Sequence, residues 1–290
     1  MIFIAGATGH TGSVAARELL SQGKKVRVLA RSADKAAALA ALGAEVVVGE
    51  LSDTHKLTAA LTGVEAAFLL LPPPSPPPAT ATEFYAWQRQ LADGIAAAVA
   101  ASKAPYVVLL SSFGAQHPDG TGPIKGLHYF ENKLAATGTK LTRLRACSFL
   151  ENLGGMLGAV QHMGALPNFF AETLPVYHVA THDIGLVAAK SLADAPGDRT
   201  INIVGPHPYT AVAQAAAWSA AVGKEIKLMN LPDSAAAGAL VQAGLPQSLA
   251  DVYAEMYQGV NKGLVAFPAG GELVHGTTTM ESFLAALVKA

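Results

Sequence analysis

Short apolar runs alternate with helical runs through the first half of the chain, and this constrains the fold more than any other feature. Residues 2–5, 25–30, 45–48, 66–71, 106–112 and 141–146 read as strands. Between them, 12–22, 33–42, 54–61, 83–101 and 127–137 read as helices, and Gly23, Gly43 and Gly63 stop the first three. The strands are apolar throughout rather than alternating, as in a parallel sheet covered on both faces. Right-handed crossovers then make an α/β, doubly wound parallel sheet, with ligands at the carboxyl ends of its strands.

At roughly 150 residues per domain, 290 residues divide into a first unit, 1–149, and a smaller C-terminal region, 150–290. The second is mainly helical from Thr210 onward. Strands at 176–180 and 200–204 are expected to join the first unit's sheet, with Asp183 capping a helix over 184–193. Pro72-Pro73-Pro74-Ser75-Pro76-Pro77-Pro78 reads as a stiff connector inside a strand-to-helix loop.

Composition narrows the function. With 20 basic and 21 acidic residues the net charge is −1, so no overall field draws the chain to nucleic acid or anionic lipid. The mean hydropathy of +0.33 reflects alanine-rich helices; every apolar run is too short to span a bilayer. A single cysteine, Cys147, cannot form an internal disulfide, which fits a reducing cytoplasm. His178 and His182 have the spacing of a zinc helix, but on a strand they stand too far apart to share a metal, so no metal site is expected.

Gly6-Ala7-Thr8-Gly9-His10-Thr11-Gly12 follows the first strand and opens the first helix, the setting a dinucleotide-binding glycine motif requires. Gly6 serves the tight turn, Gly9 the approach of backbone to a pyrophosphate, and Gly12 the packing of helix on strand. The free N–H groups and positive dipole end of the helix would hold the phosphates. At the end of the second strand, where an NAD site carries a carboxylate, this chain has Arg31, with Lys35 one turn on. A guanidinium attracts a 2′-phosphate that a carboxylate would repel, so NADP(H) is the expected cofactor. Asp53 serves either to hydrogen-bond an adenine amine or as a helix N-cap, or both.

These motifs, with Leu144-Arg145-Ala146-Cys147-Ser148-Phe149-Leu150-Glu151-Asn152-Leu153, Thr181-His182-Asp183-Ile184-Gly185 and Thr277-Thr278-Thr279, resemble the NmrA-like branch of the short-chain dehydrogenase/reductases. Ala146 stands where that branch usually has proline. The Gly244-Leu245-Pro246 region and the length are most similar to its bacterial type-two NAD(P)H:quinone oxidoreductases. The resemblance implies a Rossmann fold and contacts to the nucleotide from Leu71 and Ser111. It further implies an NADPH-dependent oxidoreductase passing hydride to a quinone or similar flat aromatic acceptor. A non-catalytic NADPH/NADP sensor acting on a protein partner is the alternative, and a homodimer is the expected assembly.

Two chemistries stay open at the reacting end. Tyr129 and Lys133 have the Tyr-x-x-x-Lys spacing of a proton-donating pair, with Ser111 and Ser112 ending the fifth strand, although the resemblance puts the lysine nearer Lys125 or Leu127. Otherwise the pair is a surface accident and no dedicated acid is needed, with His128 as a second candidate donor or acceptor contact. Phe149, Asn152 and Tyr177 are candidate lining residues for the acceptor.

Overall fold

The computed structural model describes residues 1–194, 196–268 and 271–289. Its strands are β1 (Ile2–Ile4), β2 (Val26–Ala30), β3 (Glu45–Val48), β4 (Ala66–Leu69), β5 (Tyr106–Ser112), β6 (Lys140–Ala146) and β7 (Ser148–Phe149). They continue with β8 (Ala165–Asn168), β9 (Val176–Val179), β10 (Arg199–Val204), β11 (Pro208–Tyr209), β12 (Lys227–Asn230) and β13 (Glu272–His275). The helices are α1 (His10–Ser21), α2 (Ala33–Ala40), α3 (Thr54–Leu61), α4 (Ala81–Ser102), α5 (Lys125–Ala135) and α6 (Leu157–Met163). After them come α7 (Thr181–Ala193), α8 (Ala211–Val222), α9 (Ala236–Gln242), α10 (Gln247–Asn261) and α11 (Met280–Leu287).

Eight parallel strands form the main sheet in the order β13-β10-β6-β5-β4-β1-β2-β3. The winding direction reverses between β1 and β4, which opens a crevice at their carboxyl ends. Alternating side chains of β1 serve opposite faces: Ile2 and Ile4 pack with α1, α2 and α7, and Phe3 with α3, α4 and α5. Both faces are therefore buried, which is why the strands carry no polar–apolar alternation.

The structure departs from the sequence reading in four places. β10 enters the main sheet, but β9, expected there, pairs with β7 and β11 in a separate three-stranded sheet. β13, which the sequence reading did not foresee, extends the main sheet beside β10. β4 stops at Leu69, short of residue 71, where the proline-rich connector begins leading to α4. Asp183 does not cap α7, which starts at Thr181. Glu151 serves that end, accepting from the Thr181 amide at 3.0 Å and from its hydroxyl at 2.6 Å. Asp183 instead takes the amides of Thr277 and Thr278 at 3.0 and 2.9 Å, tying the C-terminal tail to α7.

The C-terminal region has its own small core, in which the fully buried Trp218 meets Leu150, Leu153, Tyr209, Met280 and Leu284. A second contact brings α10 onto α4 through Phe84, Leu249 and Val252. Among the described residues no helix is long and apolar enough to cross a membrane.

Candidate active site

The glycine loop leaves β1 into a turn in which Gly6 adopts φ +61°, a left-handed conformation that side chains resist. The Gly9 amide closes the turn on the Gly6 carbonyl at 2.9 Å. A Cβ on Gly12 would run into the carbonyls of Gly6 and Ala5, so only glycine lets α1 start this close to the strand. Gly9 is the N-cap of α1, with no side-chain cap and no acidic residue in the first turn. The opening amides of α1 thus lack a capping side chain, and Thr8, Gly9 and His10 are exposed around them. On the far side Gly185 of α7 meets Val14 and the Thr11 carbonyl; a Cβ there would lie 2.6 Å from Val14 Cβ. The glycine of the Asp183-Ile184-Gly185 motif is therefore a packing requirement that seats α1.

Arg31 follows β2 directly, is exposed, and makes no hydrogen bond or ion pair among the described residues; the same holds for Lys35. Four residues earlier in the same strand, Arg27 is paired with Glu45 at 2.7 Å. Asp53 caps α3, accepting from the Lys56 amide at 3.0 Å, and lies 3.9 Å from the Lys56 ammonium through its other oxygen. Its N-cap role is thus present in the fold. The half-buried Leu71 packs on the core beneath β4, and its neighbour Leu70 covers Gly6. An uncapped helix start, a glycine turn and an unpaired guanidinium one strand over fit a dinucleotide with a 2′-phosphate.

The residues expected at the reacting end do not converge. Ser111 is buried, and its hydroxyl donates to Glu131 at 2.6 Å. Glu131 also holds Arg145 through two bonds of 3.0 and 2.6 Å. Tyr129 donates instead to Asp93 of α4 at 2.9 Å, and the Lys133 ammonium lies 2.9 Å from the same carboxylate. That ammonium holds the Asp93 carboxyl below the usual range. Arg89 and Lys133 each lie against the Tyr129 ring, at 5.6 and 5.1 Å from its centre. The i,i+4 spacing therefore does place Tyr129 and Lys133 together, but on a carboxylate that Ser111 does not share. Tyr129 borders a groove of about 620 Å³ between α4 and α5, which Tyr85, Arg89, Lys125 and His128 also line.

Both ring nitrogens of His128 are engaged. Nδ1 lies 2.8 Å from the Ala115 carbonyl, which can only accept, so Nδ1 carries the proton. Nε2 accepts from the Asn132 amide at 3.0 Å. Protein partners thus occupy both ring nitrogens, and neither is turned to an outside acceptor.

The side on which the sequence reading expects the acceptor is aromatic. Phe149 and Tyr177 are half-buried against the main core on β7 and β9, while Asn152 is exposed in a tight helical turn after β7. Tyr177 meets His275 edge-to-face at 6.3 Å. Sequence reasoning missed Phe113 and Phe267, whose rings lie 5.5 Å apart where the loop after β5 meets the segment after α10. The position of Phe113 just after a strand was the available signal; Phe267 carried none. Burial pushes the Cys147 thiol up to about 12, so it is no nucleophile near neutrality. Among the described residues no three His, Cys, Asp or Glu side chains gather to hold a metal.

A doubly wound sheet with a glycine turn at its switch point and a cationic second-strand end defines a dinucleotide-binding Rossmann protein. More narrowly, the chain belongs to the NmrA-like family, which it matches over residues 1–284. It is 30% identical over 274 residues to quinone oxidoreductase 2 of Escherichia coli K12, covering 91% of this chain and 89% of that one. It is 28% identical over 260 residues to an NAD(P)H azoreductase of Xenophilus azovorans, covering 89% and 86%. Among solved structures, the NADPH complex of an E. coli NADPH-dependent quinone oxidoreductase superposes with a TM-score of 0.85 at 26% identity over 99% of each chain. A Citrobacter sp. triphenylmethane reductase with NADP(H) shares the fold at 0.83 and 21% identity, over 99% of this chain and 100% of that one.

Proposed function

We propose that this chain is an NADPH-dependent reductase that delivers hydride to quinones or similarly flat aromatic acceptors, taken up between residues 1–149 and 150–290. The observation that carries the cofactor half is the exposed, unpaired Arg31 one strand away from an uncapped glycine loop. The relatives carry the reaction class, being an NAD(P)H azoreductase and a quinone oxidoreductase. In this reading the amides that open α1 hold the pyrophosphate, and Arg31 with Lys35 holds the 2′-phosphate. NADPH, when bound, supplies the hydride. Phe113, Phe149, Tyr177 and Phe267 offer flat faces to the acceptor and exclude water from beside it. Tyr129 and Lys133 serve the Asp93 cluster and His128 a structural pair of hydrogen bonds, so the single proton that balances the hydride comes from solvent as the reduced product leaves. A reduced cytoplasmic setting suits the single buried thiol, and a homodimer is the assembly the family resemblance suggests.

The test is anaerobic NADPH oxidation by purified protein against small quinones, azo dyes and triphenylmethane dyes. Saturable turnover with at least one acceptor class is the expected result. No turnover, with NADPH binding confirmed by calorimetry, overturns the enzyme and leaves the sensor.

A further inference from the structure

The loop after β5 and the segment after α10 are built to fit each other. Gly114 stands at φ +83°, and a Cβ there would lie 3.2 Å from the backbone of Val265, so glycine is required for the approach. The Gly114 amide donates to the Ala266 carbonyl at 3.2 Å, and Gln116 Nε2 donates to the same oxygen at 2.8 Å. Gln116 in turn accepts from Arg145 at 3.3 Å, and Arg145 is fixed by its two bonds to Glu131. Arg145 and Glu131 are only 8% and 5% exposed. Burying such a pair costs desolvation and returns a fixed geometry. A continuous polar chain therefore runs from α5 through β6 and Gln116 to the segment that carries Phe267, and it ends with Phe267 against Phe113 at the carboxyl edge of the sheet.

We propose that the Phe113–Phe267 pair is the wall that selects planar acceptors of two or more fused rings, and that Gln116 is the residue positioning it. A one-ring acceptor is about the width of one phenyl group and stacks on a single partner, whereas a fused second ring reaches the other member of the pair. Gln116 suits the positioning role because its amide both donates and accepts, holding the segment after α10 through Ala266 and the buried ion pair through Arg145. The inference rests on the reductase reading for its reaction, though not for its ligand.

The experiment compares 1,4-benzoquinone with the two-ring menadione in the wild type, Phe267→Leu, Phe267→Tyr and Gln116→Glu, with NADP⁺ affinity measured by calorimetry as the check on folding. Gln116→Glu still accepts from Arg145 but cannot donate to Ala266. Phe267→Leu and Gln116→Glu are expected to raise KM for menadione roughly tenfold. KM for benzoquinone should rise by a smaller factor, so that the menadione-to-benzoquinone KM ratio shifts by roughly threefold or more, and Phe267→Tyr should restore that ratio. Equal changes for the two acceptors, or none, would overturn the proposal. Menadione binding to NADP⁺-loaded protein reads the wall without turnover. If the wild type oxidises no NADPH yet binds menadione in a Phe267-dependent way, the wall stands and the reductase reading fails. Turnover of menadione indifferent to Phe267 gives the reverse, and a wild type that binds no menadione refutes the wall.

Discussion

Single residues carry the chemistry that the sequence displayed most clearly, and also the roles that it left open. The glycine loop and Arg31 were legible because their roles follow from residue type and spacing: φ +61° at Gly6, close approach at Gly12, and a cation at the end of β2. Ser111, Tyr129, Lys133 and His128 were not, because the partner that decides each role lies far off in sequence or on another element. Asp93 claims Tyr129 and Lys133, Glu131 claims Ser111, and the Ala115 carbonyl claims His128. Tyr129→Phe is accordingly expected to keep kcat within about twofold in the reductase assay, whereas a proton-donating tyrosine would lose roughly a hundredfold or more. His178 makes a second prediction. Burial holds its imidazole down to about 4, against 6.5 for a free one. The unfolded chain therefore takes up the proton first as pH falls, so the stabilising contribution is full above about 6.5 and is lost progressively toward 4. At about 1.36 kcal/mol for each pH unit the loss approaches roughly 3 kcal/mol. Urea unfolding at pH 7.5 and pH 4.5 should show a smaller acid loss in His178→Gln than in the wild type; equal losses would place the acid sensitivity elsewhere.

At the scale of elements, periodicity and stop signals located the first six strands and their helices, because a strand buried on both faces announces itself as an apolar run. The second half was harder to read. β13 is four residues with an exposed leucine, and its place beside β10 depends on a chain that first passes through α8 to α10. β9 looked like another sheet strand but pairs with β7, because the chain turns out of the main sheet after β6. The start of α7 was misplaced because its capping carboxylate, Glu151, lies thirty residues upstream. Glu151→Ala should therefore destabilise the fold by about 1 kcal/mol in urea unfolding, as the loss of an N-cap does. An unchanged midpoint would mean that solvent satisfies Thr181 equally well. Gly185 is the stronger lever at this scale. A methyl there meets Val14 and the Thr11 carbonyl, so Gly185→Ala should cost roughly 1–3 kcal/mol and weaken NADPH binding by shifting the start of α1. Loss of stability with nucleotide affinity untouched would uncouple that packing from the site.

Over the whole molecule, the parallel sheet supplies a rigid nucleotide edge, and the C-terminal region brings Tyr177 and Phe267 to the side of β5 and β6 away from Arg31. In the proposed reading the two ends of the site answer to different parts of the chain: residues near the N-terminus select the cofactor, and contacts spanning more than a hundred residues shape the acceptor face. That division is why the cofactor was readable from the sequence and the Phe113–Phe267 contact was not. The most direct measurement is anaerobic kcat/KM for NADPH and NADH with menadione, in the wild type and in Arg31→Asp. The wild type should prefer NADPH by roughly tenfold or more, and Arg31→Asp should lose that preference through NADPH alone, as expected for a charge-assisted bond to phosphate. No NADPH oxidation above the buffer rate, or equal losses with both cofactors, would contradict it.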